Sequence, residues 1–343
     1  MKKIGIVLIS IFTILSLTLM GCGSKDLSLG TLIKDLQKGN VEEAKNLLIK
    51  SDTNDEFKLY NSNLSKDLLK EYYKNVTFKV VKMNKESKSA TAKVKFEYPN
   101  MKTLGEDAFK DTFNGKEIAS VKDSSNTIIK NITEKLSKGS FNKENKEIDI
   151  NFEKGTDNWL IKNNADLNDI LCTQLNYITV LTEGSNFTME SVTALKNLDV
   201  DWFSKHNQTF NHKSISDINK VKPYLTKISS KDKIKFNSCS IDGDKLNVNV
   251  TVSTPNMPKL LSDNYADINT KYANTPLEAQ TEENAAKILT DYLSTSKFEM
   301  LENKFDIGTV YKPDDNKIEL AKDTISGDTI ANYMFGDMDN LGM

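Results

Sequence analysis

The chain contains no arginine, so all 46 of its positively charged residues are lysine. Guanidinium groups bind phosphate and carboxylate through two parallel hydrogen bonds, and this mode of recognition is therefore excluded. Histidine is almost as scarce: His206 and His212 lie in a polar segment without zinc-type spacing, and we expect both at the surface. The sequence also lacks a glycine-rich phosphate loop, a nucleophile elbow and a paired-carboxylate motif. We therefore expect a protein that is not an enzyme and uses no metal or cofactor.

Cysteine is limited to three residues, Cys22, Cys172 and Cys239. The last two lie in different halves of the chain and could form a disulfide if the protein folds outside the cytoplasm. Both also lie in segments of apolar periodicity, where cysteine commonly serves as a small buried side chain. The pattern leaves both alternatives open and favours the second.

The N-terminus has the pattern of a targeting segment. Met1-Lys2-Lys3 is basic, Ile4 to Met20 is an apolar run, and Leu19-Met20-Gly21-Cys22 follows. This resembles the lipobox of bacterial lipoproteins. The resemblance implies a signal peptide over 1–21, cleavage before Cys22, and a diacylglycerol on the Cys22 thiol that anchors the chain at the extracytoplasmic face of the cell membrane. The alternative is an uncleaved transmembrane anchor, because the run is close to the minimum length of roughly 17 residues.

Most of the remaining chain is built from two copies of one pattern. Val76 to Leu104 contains two alternating strands, a turn and Pro99-Asn100-Met101; Ile234 to Leu260 repeats it and ends in Pro255-Asn256-Met257. A shift of 156 positions without a gap aligns the apolar residues of the two copies. The aligned pairs are Phe78 with Ile234, Val80 with Phe236, Ala92 with Val248, Val94 with Val250, and Phe96 with Val252.

Helical periodicity before and after each hairpin, with two further strands per copy, predicts an α+β fold. We expect two tandem related domains, each with helices packed on a curved antiparallel sheet, joined by one shared rigid helix whose apolar stripe runs from Leu167 to Leu181. The predicted division is a signal peptide over 1–21, a lipidated tether over 22–28, a first domain over 29–176 and a second over 177–343.

The segment from Leu36 to Ala44, the lysine- and valine-rich strands and Trp159-Leu160-Ile161 resemble the cystatin-like or nuclear-transport-factor-two-like domains of lipoproteins from Gram-positive bacteria. The resemblance implies a cone-shaped domain, sometimes with a pocket and often without enzymatic activity.

Charge is divided unevenly between the two copies. Residues 23–176 hold 26 lysines and 24 acids, whereas 177–343 hold 18 lysines and 24 acids. The excess is concentrated in the first hairpin, where alternation turns Lys79, Lys93 and Lys95 outward and places three more lysines at the strand end and turn. The predicted polyanion-binding residues are Lys79, Lys82, Lys85, Lys88, Lys93 and Lys95.

Two functions of different classes follow from this pattern. The first is binding of anionic polymer, such as extracellular DNA or teichoic acid, without base specificity. Tyr72, Tyr73 and Tyr98 could then stack on unpaired bases or, alternatively, lie in the core. The second is a protein-interaction or sensory accessory role, in which the chain docks on a membrane protein or holds a small ligand in a domain pocket. The lysines then only keep an exposed strand soluble and block edge pairing.

Overall fold

The structure is a computed structural model that describes residues 28–49, 59, 64–121, 123–156, 158–197, 199–206, 222, 226–227, 229–295 and 299–321. Cys22, the expected signal peptide, residues 22–27 of the tether and His212 lie outside the described residues. Within those ranges, no helix is both long enough and apolar enough to cross a membrane.

The chain forms two compact units. The first consists of residues up to 105 together with 129–179, and the second consists of 106–128 together with 180–343. Residues 106–128 therefore belong to the second unit, although they lie within the first sequence copy. The domain boundary at 176/177, which follows the repeats, stays a prediction.

The first unit contains a four-stranded antiparallel sheet in the order β1-β2-β3-β4 and helices on one side of it. Its elements are α1 (Leu29–Lys38), α2 (Val41–Lys45), α3 (Lys66–Lys74), β1 (Thr77–Lys85), β2 (Ser89–Pro99), the start of α4 (Met101–Phe113), most of α5 (Ser124–Lys138), β3 (Lys143–Lys154), β4 (Trp159–Lys162), α6 (Ala165–Asn168), a π-helical turn (Asp169–Thr173) and the start of α7 (Gln174–Lys196).

The second unit repeats this sheet in the order β5-β6-β7-β8. Beside the remaining parts of α4, α5 and α7, its elements are a 3₁₀ turn (Ile118–Ser120), α8 (Val200–Lys205), β5 (Lys233–Asp242), β6 (Lys245–Pro255), α9 (Met257–Ala273), a second 3₁₀ turn (Leu277–Ala279), α10 (Glu282–Thr295), β7 (Met300–Lys312) and β8 (Lys317–Leu320). The predicted α+β fold with two tandem sheets is confirmed.

The repeat extends to the irregularities of the two sheets. In the first sheet the β1–β2 register shifts between Val80 and Lys82, and in the second the β5–β6 register shifts between Phe236 and Ser238, which is 156 positions later. The helix after each hairpin also begins with the same capping hydrogen bond. In the first copy, the Asn100 side-chain oxygen accepts a hydrogen bond from the Thr103 amide at 2.9 Å. The Asn256 side chain accepts from the Lys259 amide at 3.1 Å.

Alternation along the strands gives each sheet a buried inner face, and in the first sheet the outer face of β2 is exposed. On β2, Ala92, Val94 and Phe96 are fully buried, whereas the lysines between them are exposed. Their aligned partners on β6, Val248, Val250 and Val252, are also fully buried. The sequence alignment of the two copies therefore identifies the core positions.

The three tyrosines considered for base stacking lie in the core. Tyr72 and Tyr73 are fully buried, and Tyr98 is 2% exposed. The hydroxyl of Tyr72 donates to the Ile170 carbonyl, and that of Tyr73 donates to the Leu171 carbonyl at 2.8 Å. Both carbonyls lie in the π-helical turn, where the widened backbone spacing leaves acceptors for side chains. The stacking alternative is wrong because none of these three tyrosine rings is open to a ligand.

Candidate anionic-polymer site on the first sheet

Four of the six predicted lysines share the outer face of the first sheet. Lys79 on β1 pairs directly with Lys95 on β2, and Lys82 pairs directly with Lys93. All four are exposed. We call this group, Lys79, Lys82, Lys93 and Lys95, the lysine square.

The β-bulge completes the lysine square. In a regular strand, Lys79 and Lys82 point to opposite faces, because side chains alternate with period two. The extra residue Val81 shifts the register by one, so that Lys82 returns to the outer face opposite Lys93. The bulge therefore places the fourth charge beside the other three.

The arrangement opposes the stability of the sheet. Directly opposite residues have Cβ atoms about 4.5–5.5 Å apart, and like charges there are destabilising by roughly 0.2–1 kcal/mol. The lysine square contains two such pairs, and all four of its side chains are exposed to solvent. A bound anion would remove this repulsion.

Lys85 and Lys88 lie apart from the lysine square. Lys85 pairs with the buried Ala90 at the end of β1, and its ammonium lies 5.3 Å from the centre of the Trp159 ring in a cation–π contact. Lys88 is exposed in the turn between the strands, and its backbone carbonyl accepts from the Lys154 amide at 2.9 Å. Lys85 therefore belongs to the end of the inner face and Lys88 to the turn.

An acidic row borders the lysine square on the same face. In β3, Asp149 pairs with Lys93 and Glu147 pairs with Lys95, while Glu153 pairs with Ser89 near the turn. The three acids are exposed, and the Glu147 carboxylate lies 3.5 Å from the Lys93 ammonium. We call Glu147, Asp149 and Glu153 the acid row. A polyanion could lie along β1 and β2, but it is repelled from β3.

Sequence reasoning missed the acid row because it considered the hairpin in isolation. The signal was present in Glu147-Ile148-Asp149-Ile150, where acids alternate with apolar residues. What the sequence did not provide was the pairing of β3 with β2 across about 55 positions. That pairing is long-range, and it decides which acids neighbour which lysines.

The outer face of the second sheet is polar and largely uncharged at the corresponding places. The bulge residue Asn237 donates to the side-chain oxygens of Asn249 and Thr251, each at 2.8 Å. Asn249 donates in turn to Asp306 at 2.7 Å. These polar groups satisfy one another, in contrast to the opposed lysines of the first sheet.

Other titratable groups of the first unit form a half-buried network near α6. The Lys146 ammonium lies 2.9 Å from Asp166 and 3.0 Å from Asp169. Burial lowers the pKa of Lys146, but these hydrogen bonds outweigh it and the net shift is upward. Burial and a hydrogen bond with Glu144 raise the pKa of Tyr98. Lys146 and Tyr98 therefore stay protonated at neutral pH and serve a structural role.

The cysteines and the described histidine serve in packing. Cys172 is buried and Cys239 is half-buried, and neither forms a disulfide, so the disulfide alternative is wrong. Burial raises the pKa of the Cys239 thiol.

His206 was expected at the surface but is half-buried: its ring lies 4.1 Å from that of Trp202, and its Nδ1 lies 2.6 Å from the Trp202 carbonyl. Across the described ranges, no group of three or more His, Cys, Asp or Glu residues is arranged to hold a metal ion.

Comparison of the chain with protein-family models, with curated proteins and with solved structures found no match. A function must therefore be argued from the geometry of the faces described above.

Proposed function

We propose that this protein is a non-enzymatic, lipid-anchored surface protein that binds anionic polymer, extracellular DNA or teichoic acid, through the lysine square. The observation that supports this most is the direct opposition of two lysine pairs on an exposed face, Lys79 with Lys95 and Lys82 with Lys93. The fold gains nothing from opposed like charges. A row of phosphates adds counter-charge on β1, the strand of the lysine square that is further from the acid row. Lysine binds phosphate as a point charge without the geometry that arginine requires.

The binding site is narrow. The acid row lies one strand away from the lysine square, and the Glu147 carboxylate already contacts Lys93. The favourable path for a polymer therefore follows β1 and β2 and leaves β3 uncovered. On the described outer face of β1 and β2 the exposed side chains along this path include no aromatic ring, so we expect contact with the polymer backbone and no sequence preference.

The test is a titration of the full-length chain in nonionic detergent with non-specific duplex DNA and with teichoic acid at several salt concentrations. If all four lysines contact DNA phosphates, the slope of log affinity against log salt is about −3.6, at about −0.9 per contact. Changing the four lysines to glutamine should abolish the binding.

A matched control removes charge elsewhere. Lys34, Lys66 and Lys130 are exposed on helices of the first unit. Lys70 is likewise exposed on α3. The K34Q/K66Q/K70Q/K130Q variant removes the same number of charges as the lysine-square variant and leaves the lysine square intact, so it should keep the slope of the wild type. Equal losses in both variants, or no binding at low salt, would contradict the site. The alternative of a protein-interaction or sensory accessory role would then be favoured.

A further inference from the structure

One edge of the second sheet is covered by residues that come from the first sequence copy. Within the second unit, Glu106 accepts a hydrogen bond from the Ile241 amide of β5 at 3.0 Å. Three residues further along α4, Phe109 stacks on Phe236 of β5 with ring centres 6.0 Å apart. Phe113 contacts the same ring at 4.9 Å. The segment 106–120, which we call the first arm, therefore lies along β5.

The first arm also reaches the backbone of this edge strand. Glu117 forms an isolated antiparallel bridge with Lys235, and its carboxylate lies 4.0 Å from the Lys233 ammonium. Polar contacts at both ends and aromatic contacts in the middle thus cover β5. An edge strand with unpaired backbone groups is a site for further pairing, and this edge is protected by the chain itself.

The second sequence copy has an equivalent arm, the segment 257–279, which we call the second arm. The shift of 156 positions aligns Tyr265 with Phe109. Phe109 is fully buried, whereas Tyr265 is 67% exposed. A 3₁₀ turn also follows the helix in each arm, although the two turns are 159 positions apart and not 156. Ile118 begins the first turn and is half-buried, whereas Leu277 begins the second and is 83% exposed. The second arm therefore presents its docking side chains to solvent.

The first sheet has the matching edge. Val80 of β1 takes the place of Phe236 and is only half-buried, as is Phe78 two residues before it. The neighbouring bulge residue Val81 is 53% exposed. Among the described residues, β1 pairs only with β2, so its outer edge carries no strand. Of the large apolar side chains that are exposed in the described chain, three lie on these two surfaces and only Met300 lies elsewhere.

We propose that the second arm of one molecule docks along β1 of a second copy of this chain, as the first arm docks along β5 within the molecule. Tyr265 then packs against Val80, and Leu277 lies near the end of the strand. The exposed Glu278 beside Leu277 meets Lys79, which is the aligned position of Lys235. Pro276 precedes the second 3₁₀ turn as Glu117 precedes the first. Proline has no N–H, so side chains and not a backbone bridge carry this end of the contact.

The proposed contact joins different surfaces of the two copies. After one contact forms, one molecule keeps a free β1 edge and the other keeps a free second arm, so association continues into a ring or a linear array. This inference does not depend on polymer binding by the lysine square.

The first test measures self-association of the full-length chain in nonionic detergent by sedimentation velocity over a range of concentrations. We expect dimers and larger species, and we expect Tyr265→Asp with Leu277→Asp to weaken association at least about 30-fold, as loss of an interface hot spot does. Met300→Asp is the matched control and should associate like the wild type. A wild type that stays monomeric throughout, or a double variant that associates equally well, would overturn the proposal.

The second test maps the contact and does not depend on stability. One population carries Tyr265→Cys and a second, differently tagged population carries Val80→Cys. Oxidation of the mixture should give heterodimers that neither population forms alone. Thr91→Cys, on the exposed outer face of β2, replaces Val80→Cys as the control and should give none. Equal cross-linking to positions 80 and 91 would contradict docking on β1.

Discussion

Tyr72 and Tyr73 connect α3 to the π-helical turn by single hydrogen bonds from buried hydroxyls to the carbonyls of Ile170 and Leu171. Each hydroxyl donates its proton, so each bond exists only while the tyrosine is neutral. Burial raises the pKa of both tyrosines well above the ordinary value of 10.0. The stability of the first unit is thereby linked to alkaline pH.

We predict that the free energy of unfolding falls as pH rises above about 10, because the unfolded chain releases these protons first. The contribution is complete below pH 10 and is lost at about 1.4 kcal/mol per pH unit for each such tyrosine. In Tyr72→Phe, the free energy of unfolding should fall less steeply with pH, because one of the two tyrosines no longer contributes. At neutral pH the variant should be about 1 kcal/mol less stable than the wild type, because it lacks the hydrogen bond. Urea unfolding of both proteins between pH 7 and 11 measures this, and parallel pH profiles would contradict it.

For single residues, the sequence predicted the face of the first sheet correctly for some lysines but not for all. Alternation turned Lys79, Lys93 and Lys95 outward, as the structure shows. The faces on which Lys82 and Lys85 lie are decided by the bulge after Val80, because it turns every later residue of β1 to the opposite face of the sheet. One inserted residue has no signature in composition, so alternation alone could not assign these two lysines.

Helix α7 shows what a single element contributes. The apolar stripe by which the sequence predicts this helix ends at Leu181, but the helix continues without a break to Lys196. Gly184 lies where the helix approaches the second sheet: a Cβ there would lie 2.6 Å from Leu246 Cδ2 and 2.9 Å from Thr309 Oγ1. The glycine therefore marks close packing and not a helix end.

We predict that Gly184→Ala destabilises the second unit by about 1–3 kcal/mol, because the added methyl group overpacks the contact with β6 and β7. Glu190→Ala, at an exposed position of the same helix, should change stability by less than about 0.5 kcal/mol. Thermal unfolding followed by circular dichroism measures both. Equal stability of Gly184→Ala and the wild type would show that the helix moves away at no cost.

The elements themselves were largely predictable, because each hairpin carries strong alternation and the second copy confirms the register of the first. The contacts of the first arm were not. Phe109 and Phe113 belong by sequence to the first copy but pack on Phe236 of the second sheet. Apolar spacing shows that a helix face is buried, but it does not show which sheet buries it.

At the scale of the whole molecule, duplication produced two sheets with matching inner faces and different outer faces. Buried positions such as Val94 and Val250 correspond, whereas the opposed lysines on the outer face of the first sheet are replaced in the second sequence copy by an amide network centred on Asn249. Inner positions are constrained by packing and outer positions are free to diverge. The outer face of the first sheet is therefore where a function separate from folding is best sought.

The most direct measurement compares the affinity of three full-length forms for one non-specific duplex DNA at a single low salt concentration. The forms are the wild type, Lys79→Gln with Lys95→Gln, and Glu147→Gln with Asp149→Asn. We predict that the lysine variant binds at least about tenfold more weakly than the wild type. The acid-row variant should bind about 3- to 10-fold more tightly, since two unit charges 4 Å apart in water interact by about 1 kcal/mol. Equal affinities of the three forms would contradict a polymer path along β1 and β2, and no binding by any form would contradict the proposed function itself.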